Sequence, residues 1–302
     1  MKNHPVRAFI RLSRLKFLTG GFLGFALGAA VARYDGAYID WQVYALGQIM
    51  VTAFHLMVHY ANDYYDRFSD ASAERTPWSG GSGALLEGGL SPRIALNAAL
   101  FCAGAGAFAI AVFAASGAYV PAVVGAIIGV LAWSYSAPPM RLLARGLGEL
   151  DTAIIIALLF PLAGYVTFAH APALRLFASV LPSIAAVFVQ MFCVEFPDVD
   201  ADRAAGKMNL VARMGRRGAR KLIGFAVAAI YGGAALGIGL GATPWLAAFL
   251  ALTLPIALGL CAQLQRGAVD TPTVHVEIAG RGVALLVATL LGSTLAYVAV
   301  TL

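Results

Sequence analysis

Ala98-Ala99-Leu100-Phe101-Cys102-Ala103-Gly104-Ala105-Gly106-Ala107-Phe108-Ala109-Ile110-Ala111-Val112-Phe113-Ala114-Ala115 runs without one charged residue. As a helix rising 1.5 Å per residue it is about 27 Å long, close to the ~30 Å of hydrocarbon in a bilayer. The run does not alternate apolar with polar, so it does not fit the short strands of an outer-membrane barrel. Comparable runs recur, and nine apolar segments can be drawn: approximately 17–33, 41–61, 93–115, 119–137, 150–169, 176–196, 221–241, 245–263 and 282–301. Of the 302 residues, 60% are hydrophobic and 12% charged, far from the roughly one-half and one-quarter of soluble domains. The expectation is an all-α polytopic membrane protein with nine transmembrane helices and no soluble domain.

Small residues recur inside these segments, such as Gly104 and Gly106, or Gly237, Gly239 and Gly241. In lipid, where little hydrophobic drive brings helices together, small residues permit close packing. Cys102, Cys193 and Cys261 all fall in apolar segments without metal or disulfide spacing, and read as small core residues. Lys2, Arg7, Arg11, Arg14 and Lys16 imitate the start of a signal peptide. No A-x-A-like cleavage site follows, so the first apolar segment reads as a retained helix.

The basic residues orient the spans. With the N-terminus cytoplasmic, 19 of the 21 Lys and Arg fall on the inner side, including Arg266 and Arg281, and only Arg33 and Arg175 lie outside. This sorting accounts for the net charge of +6 without nucleic acid as a partner. The two longest inner loops, about 62–92 and 197–220, also hold acids: Asp63, Asp66, Asp70, Glu74 and Glu87 in the first, Asp198, Asp200 and Asp202 in the second. They follow the second and sixth segments, a spacing that suggests a topological pseudo-repeat.

Asn62, Asp66 and Asp70 are spaced i, i+4, i+8 and share one helical face. Asp198 and Asp202 are again four apart, and Lys207 follows as a point charge suited to phosphate. Columns of like charge repel without a counter-cation. Mg²⁺ takes oxygen ligands, typically one or two carboxylates plus substrate phosphates. Two carboxylate columns with nearby Arg and Lys therefore describe a metal-assisted diphosphate site. Glu195, at the end of an apolar segment, needs a partner or a polar cavity. His55 and His59 have a ligand-like spacing but no acidic or cysteine partner nearby in sequence, and read as packing or hydrogen-bonded histidines.

At these residues the chain resembles the intramembrane prenyltransferases of the UbiA superfamily, which carry N-x-x-x-D-x-x-x-D after the second helix and D-x-x-x-D after the sixth. The stretches Trp133 to Leu142 and Gly206 to Gly215 are also similar to family segments. The sequences Asn62-Asp63-Tyr64-Tyr65-Asp66, Gly80-Gly81-Ser82-Gly83 and Gly146-Leu147-Gly148-Glu149 lean toward the menaquinone-pathway, MenA-like branch, which acts on 1,4-dihydroxy-2-naphthoate. Two departures stand out: Glu195 replaces a frequent asparagine, and Arg141 lies two positions beyond the lysine of a Y-x-x-x-K pattern.

The resemblance implies one transmembrane prenyltransferase domain over residues 1–302, with nine helices around a central cavity. It implies Mg²⁺ held by Asn62, Asp66, Asp70, Asp198 and Asp202. It also implies a polyprenyl diphosphate as donor, an aromatic acceptor in quinone biosynthesis, and a site facing the cytoplasm from the cell or inner membrane. Asp66, Asp198 and Tyr135 are the expected catalytic residues, and Lys207, Arg67 and Arg141 the expected diphosphate contacts. Tyr135 reads either as a cation-stabilising ring or as an interfacial tyrosine, and Asp63 as a supporting residue off the metal face. Rival readings are transfer to 4-hydroxybenzoate or homogentisate, a UbiA-type terpene cyclase, and a transporter. A transporter predicts charges near the bilayer midplane, whereas here they gather at one interface.

Overall fold

The computed structural model describes residues 5–71, 75–87, 89–169, 171–204, 206–265 and 272–301. Lys2, Glu74 and Arg266 lie outside them. The described chain is helical throughout, with no strand among the described residues. In order the helices are α1 (Pro5–Ser13), a 3-10 turn (Leu15–Leu18), α2 (Thr19–Tyr34), α3 (Trp41–Asp70), α4 (Pro92–Ala115), α5 (Tyr119–Ser134) and α6 (Gly148–Thr152). A π-helical segment (Ala153–Leu159), α7 (Phe160–Val166), α8 (Leu174–Glu195), α9 (Val199–Ala204), α10 (Leu210–Gly239), α11 (Trp245–Ala251), α12 (Leu254–Gln265) and α13 (Pro272–Thr301) follow.

Each expected apolar segment falls on helix, but the segments are not equivalent. Among the described residues, six helical stretches are long and apolar enough to cross a membrane, or seven if α11 and α12, bent by 49°, form one span. The two segments left over differ for physical reasons. Helix α5 has 16 residues, about 24 Å at the helical rise and short for a bilayer. Helix α3 has 30 residues and ample length, but it carries Gln42, Gln48, His55 and His59 within its apolar part. Its length, about 45 Å, exceeds the ~30 Å hydrocarbon by about ten residues. Its last ten residues are the stretch from Ala61 to Asp70, so the first acid column is a continuation of the helix and not a loop.

Helix α4, which contains the stretch quoted first, begins with Ser91 as N-cap and Pro92 in the first turn, a pairing that leaves no orphan amide at the proline. Only 28% of its most apolar window is buried. Phe101 and Phe108 point outward with 78% and 69% exposure. A continuous apolar surface of this kind is what lipid covers.

Inside, α8 packs against α10 and α13, α3 against α4, and α2 against α7. The α2–α7 contact depends on two glycines. A Cβ at Gly28 would stand 1.8 Å from the Pro161 carbonyl oxygen, and one at Gly164 would stand 2.0 Å from that of Phe25. The backbones touch there, as small-residue packing in lipid permits. Not every small residue has this role. Gly237 approaches the backbone of α8 at Ala178, and Gly106 receives the Phe54 ring, but Gly104, Gly239 and Gly241 face open space. Of the cysteines, Cys102 and Cys193 are buried and Cys261 is half-buried, all with free thiols.

Candidate active site

Helix α3 continues to Asp70 in unbroken helical geometry, which stacks Asn62, Asp66 and Asp70 on one face. Asn62 Nδ2 donates to Asp66 Oδ2 at 2.6 Å and to Ser136 Oγ at 3.1 Å, tying the column to the segment after α5. Asp66 is buried. Asp63, on the adjacent face, is buried as well and binds differently. It pairs with Arg14 and accepts from the Ser82 hydroxyl and, at 3.3 Å, from the Ser82 amide. Asp63 thus fastens two outlying segments to α3. Arg14 holds a left-handed backbone conformation, φ 44°. For a residue with a Cβ this costs on the order of 1 kcal/mol, offset by the ion pair it reaches.

The second column forms on α9. The Asp202 amide donates to the Asp198 carbonyl at 2.8 Å, so the two carboxylates stand one turn apart. Gly206, at φ 73°, then reverses the chain, and the Lys207 amide returns to the Asp202 carbonyl at 2.8 Å. This turn swings the Lys207 ammonium into the first column, 3.4 Å from Asp66 Oδ2 and 3.9 Å from Asp70 Oδ1. Asn209 caps α10 by accepting from the Ala212 amide at 2.6 Å, and its Nδ2 donates to Asp202 Oδ2 at 2.7 Å. The two acid motifs, more than a hundred residues apart in sequence, face each other across one lysine.

The glycine run between α3 and α4 closes this arrangement from above. The Gly80 amide donates to Asp198 Oδ2 at 3.2 Å. A Cβ at Gly81, where φ is 74°, would meet Asp70 Oδ2 at 2.4 Å. One short loop therefore touches both columns, and only glycine can supply both the left-handed turn and the close approach. Burial pushes the Asp198 carboxyl up to about 7, with the neighbouring Asp202 carboxylate adding to the shift. Burial raises Asp202 as well, opposed by the Lys207 charge. Both acids are costly to ionise without added positive charge nearby.

Below the acids lies a cavity of about 230 Å³. Its polar end includes Asn62, Asp66, Asp70, Asp198, Asp202 and Lys207. Its other end is apolar, with Phe54, Ile155, Ile156, Phe160, Leu286 and Val287. Tyr135 lines the cavity as well. Arg67 does not line it: its guanidinium lies over the Tyr64 and Phe68 rings, at 4.8 and 4.3 Å. Arg141 is exposed, at φ 46°, and is not a lining residue either. The basic groups that do line the cavity, besides Lys207, are Arg14 and Lys16. His59 is buried and hydrogen-bonded to the Ser13 carbonyl at 3.0 Å, and the His55 ring sits 4.9 Å away. Both belong to the cavity wall.

Sequence reasoning passed over Arg14 and the bridging role of Gly80 and Gly81. The clustering of glycines at 80, 81 and 83 was the available signal. For Arg14 there was none, because its partner Asp63 is 49 positions away.

Among the described residues, no three His, Cys, Asp or Glu side chains converge closely enough to hold an ion as placed. The donor set nevertheless fits a hard cation. It offers carboxylate and amide oxygens, Asp198 Oδ1 is buried without a hydrogen-bond partner, and an ammonium already sits between two of the carboxylates.

Known proteins agree with this architecture. The model of the UbiA prenyltransferase family matches residues 22–275. A 2-carboxy-1,4-naphthoquinone phytyltransferase from Synechocystis is 31% identical over 138 residues, which cover 44% of this chain and 45% of that protein. The chain thus spans about half the length of the curated relative it matches. A UbiA homologue from Aeropyrum pernix K1, solved in the apo form, superposes with TM-score 0.66 at 18% identity, covering 91% of this chain and 96% of the other. A homologue from Archaeoglobus fulgidus, bound to GPP and Mg²⁺, gives TM-score 0.64 at 17% identity, covering 94% and 99%. With the family model spanning most of its length, and with this fold, the chain belongs to the UbiA prenyltransferase family.

Proposed function

We propose that the chain transfers a polyprenyl group from a prenyl diphosphate to an aromatic acceptor in quinone biosynthesis, with 1,4-dihydroxy-2-naphthoate as the leading acceptor. One observation carries this reading: two acid columns and a lysine converge at the mouth of an apolar cavity. The phytyltransferase relative and the GPP- and Mg²⁺-bound homologue support the choice of donor, metal and acceptor class.

Asn62, Asp66, Asp70, Asp198 and Asp202 would hold Mg²⁺, which when bound neutralises a diphosphate leaving group as a Lewis acid. Lys207 places a point charge beside the same carboxylates and orients phosphate oxygens. Arg14 and Lys16, which line the cavity, take the part expected of Arg67 and Arg141. The Gly80–Gly83 loop screens the acids from water, which an allylic cation requires. Phe54, Ile155 and Phe160 offer the prenyl chain an apolar surface, and the Tyr135 ring, which also lines the cavity, would stabilise an allylic cation. The whole chain acts as one domain, with nine spanning helices, α3 and α5 included. Its site faces the cytoplasm, as the distribution of Lys and Arg indicates.

A mass-spectrometric product screen tests the assignment. The full chain with Mg²⁺ and geranylgeranyl diphosphate is offered dihydroxynaphthoate, 4-hydroxybenzoate or homogentisate. A condensed product with acceptor-dependent diphosphate release is expected. A cyclic hydrocarbon released without any acceptor would replace this reading with that of a cyclase.

A further inference from the structure

Asp151 is used by none of the interactions described above. It lies in the last turn of α6, 3% exposed, with neither carboxylate oxygen hydrogen-bonded. Its backbone amide is satisfied by the Leu147 carbonyl at 2.9 Å, so the helix turn is complete and the side chain alone is unpaired. The side chain lines the cavity, beside Thr152, Ile155 and Ile156. A buried, unpartnered carboxylate is expensive in lipid-embedded protein and marks a functional group unless something neutralises it.

Two further features point the same way. The Tyr135 ring packs on Gly148, where a Cβ would stand 3.4 Å from its Cε2. Asp151 is one turn on from Gly148 and shares that face, which puts tyrosine and carboxylate on one wall of the cavity. Immediately after it the helix widens into the π-helical segment Ala153–Leu159, a geometry that recurs at functional sites. The segment's Ile155 and Ile156, with Phe160, add apolar side chains to the cavity lining. An unpaired hydrogen-bond acceptor beside apolar side chains suits an aromatic ring that carries a hydroxyl group.

We propose that Asp151 binds the hydroxyl of the aromatic acceptor and removes its proton during prenyl transfer. The inference rests on the prenyl-transfer reading given above. Asp151 takes the O–H proton, and the freed oxygen electron pair is delivered through the ring to the reacting carbon. That carbon bonds to C1 of the prenyl group as the C1–O bond breaks, and the bonding pair leaves on the diphosphate. The reacting carbon then loses its hydrogen as a proton to diphosphate or water, or loses carbon dioxide where it carries a carboxylate. Asp151 returns the hydroxyl proton as aromaticity is restored.

The test uses the full chain in lipid nanodiscs with Mg²⁺, geranyl diphosphate, and 1,4-dihydroxy-2-naphthoate or 4-hydroxybenzoate. Asp151→Asn keeps the shape and removes the base. It is expected to lower kcat/KM for the acceptor about 100-fold or more, the range of general-base catalysis. Geranyl diphosphate affinity should stay within about twofold and the thermal midpoint should hold or rise, since a buried unpaired charge is gone. Asp151→Glu, which keeps the carboxylate, should recover part of the loss. Asparagine turnover within about twofold of wild type would overturn the inference and leave prenyl transfer standing. So would loss of geranyl diphosphate binding in step with transfer, which would make Asp151 structural. If the wild type binds geranyl diphosphate yet prenylates neither acceptor, the parent reading falls and this inference with it.

Discussion

Asp198 shows how a single residue reports on the metal. Its carboxyl is raised from the ordinary aspartate range to about 7 by burial first and by Asp202 second. In the unfolded chain it would ionise near the ordinary value. A group raised on folding stabilises the fold fully below its unfolded pKa and loses that contribution as pH rises through the folded one. Metal-free protein is therefore expected to lose thermal stability between about pH 4 and 7, levelling off above the folded value. Added Mg²⁺ should flatten the profile, because a bound cation favours the ionised form. Midpoints measured across that range, with chelator and with Mg²⁺, check this, and a flat chelated profile would count against it. The residues of both columns were legible in the sequence because helical spacing alone places i and i+4 together. Their alignment across Lys207 was not, since nothing local says that a turn at Gly206 points its successor at α3.

At the scale of elements, the loop of Gly80 and Gly81 is the most exacting piece. Gly81→Ala would bring a Cβ to 2.4 Å of Asp70 Oδ2 at a backbone angle that alanine resists. The loop must shift, and the Gly80 contact to Asp198 shifts with it. Transfer activity should fall about tenfold or more, with a stability cost of about 1–2 kcal/mol. Full activity in this variant would mean that the loop does not close the site. Periodicity located every apolar segment on helix, yet it missed the boundary between span and motif. Helix α3 continues to Asp70 although its apolar run ends near Ala61, because helical geometry does not require apolar residues. The π-helical turn after Asp151 also left no mark in the pattern, because Ala153 to Leu159 is apolar in any register.

Across the whole molecule, the ends of the bundle carry different chemistry. The acid columns, Lys207 and Arg14 meet at one end. At the other, Arg175 pairs with Asp35 at 2.8 Å, and the Tyr165 hydroxyl donates to the same carboxylate at 2.8 Å. The charge distribution predicts that the first end faces the cytoplasm. In a chain with Cys102, Cys193 and Cys261 replaced, Tyr38→Cys should react with an impermeant thiol reagent added to intact cells. Asp200→Cys, exposed at the opposite end, should react only after lysis. The reverse pattern would invert the topology. Fold class was legible here because a bilayer demands long uncharged runs, whereas the cavity was not. It is made by side chains from α3, α6, α8 and α13 that no single segment brings together.

The account stands most directly on the two acid columns acting as one site. Asp66→Ala and Asp198→Ala, each confirmed as inserted and folded, should both abolish Mg²⁺-dependent transfer from geranylgeranyl diphosphate to dihydroxynaphthoate. A loss of about 1,000-fold or more is the predicted result for each. Near wild-type turnover in either variant would contradict the shared metal–diphosphate site.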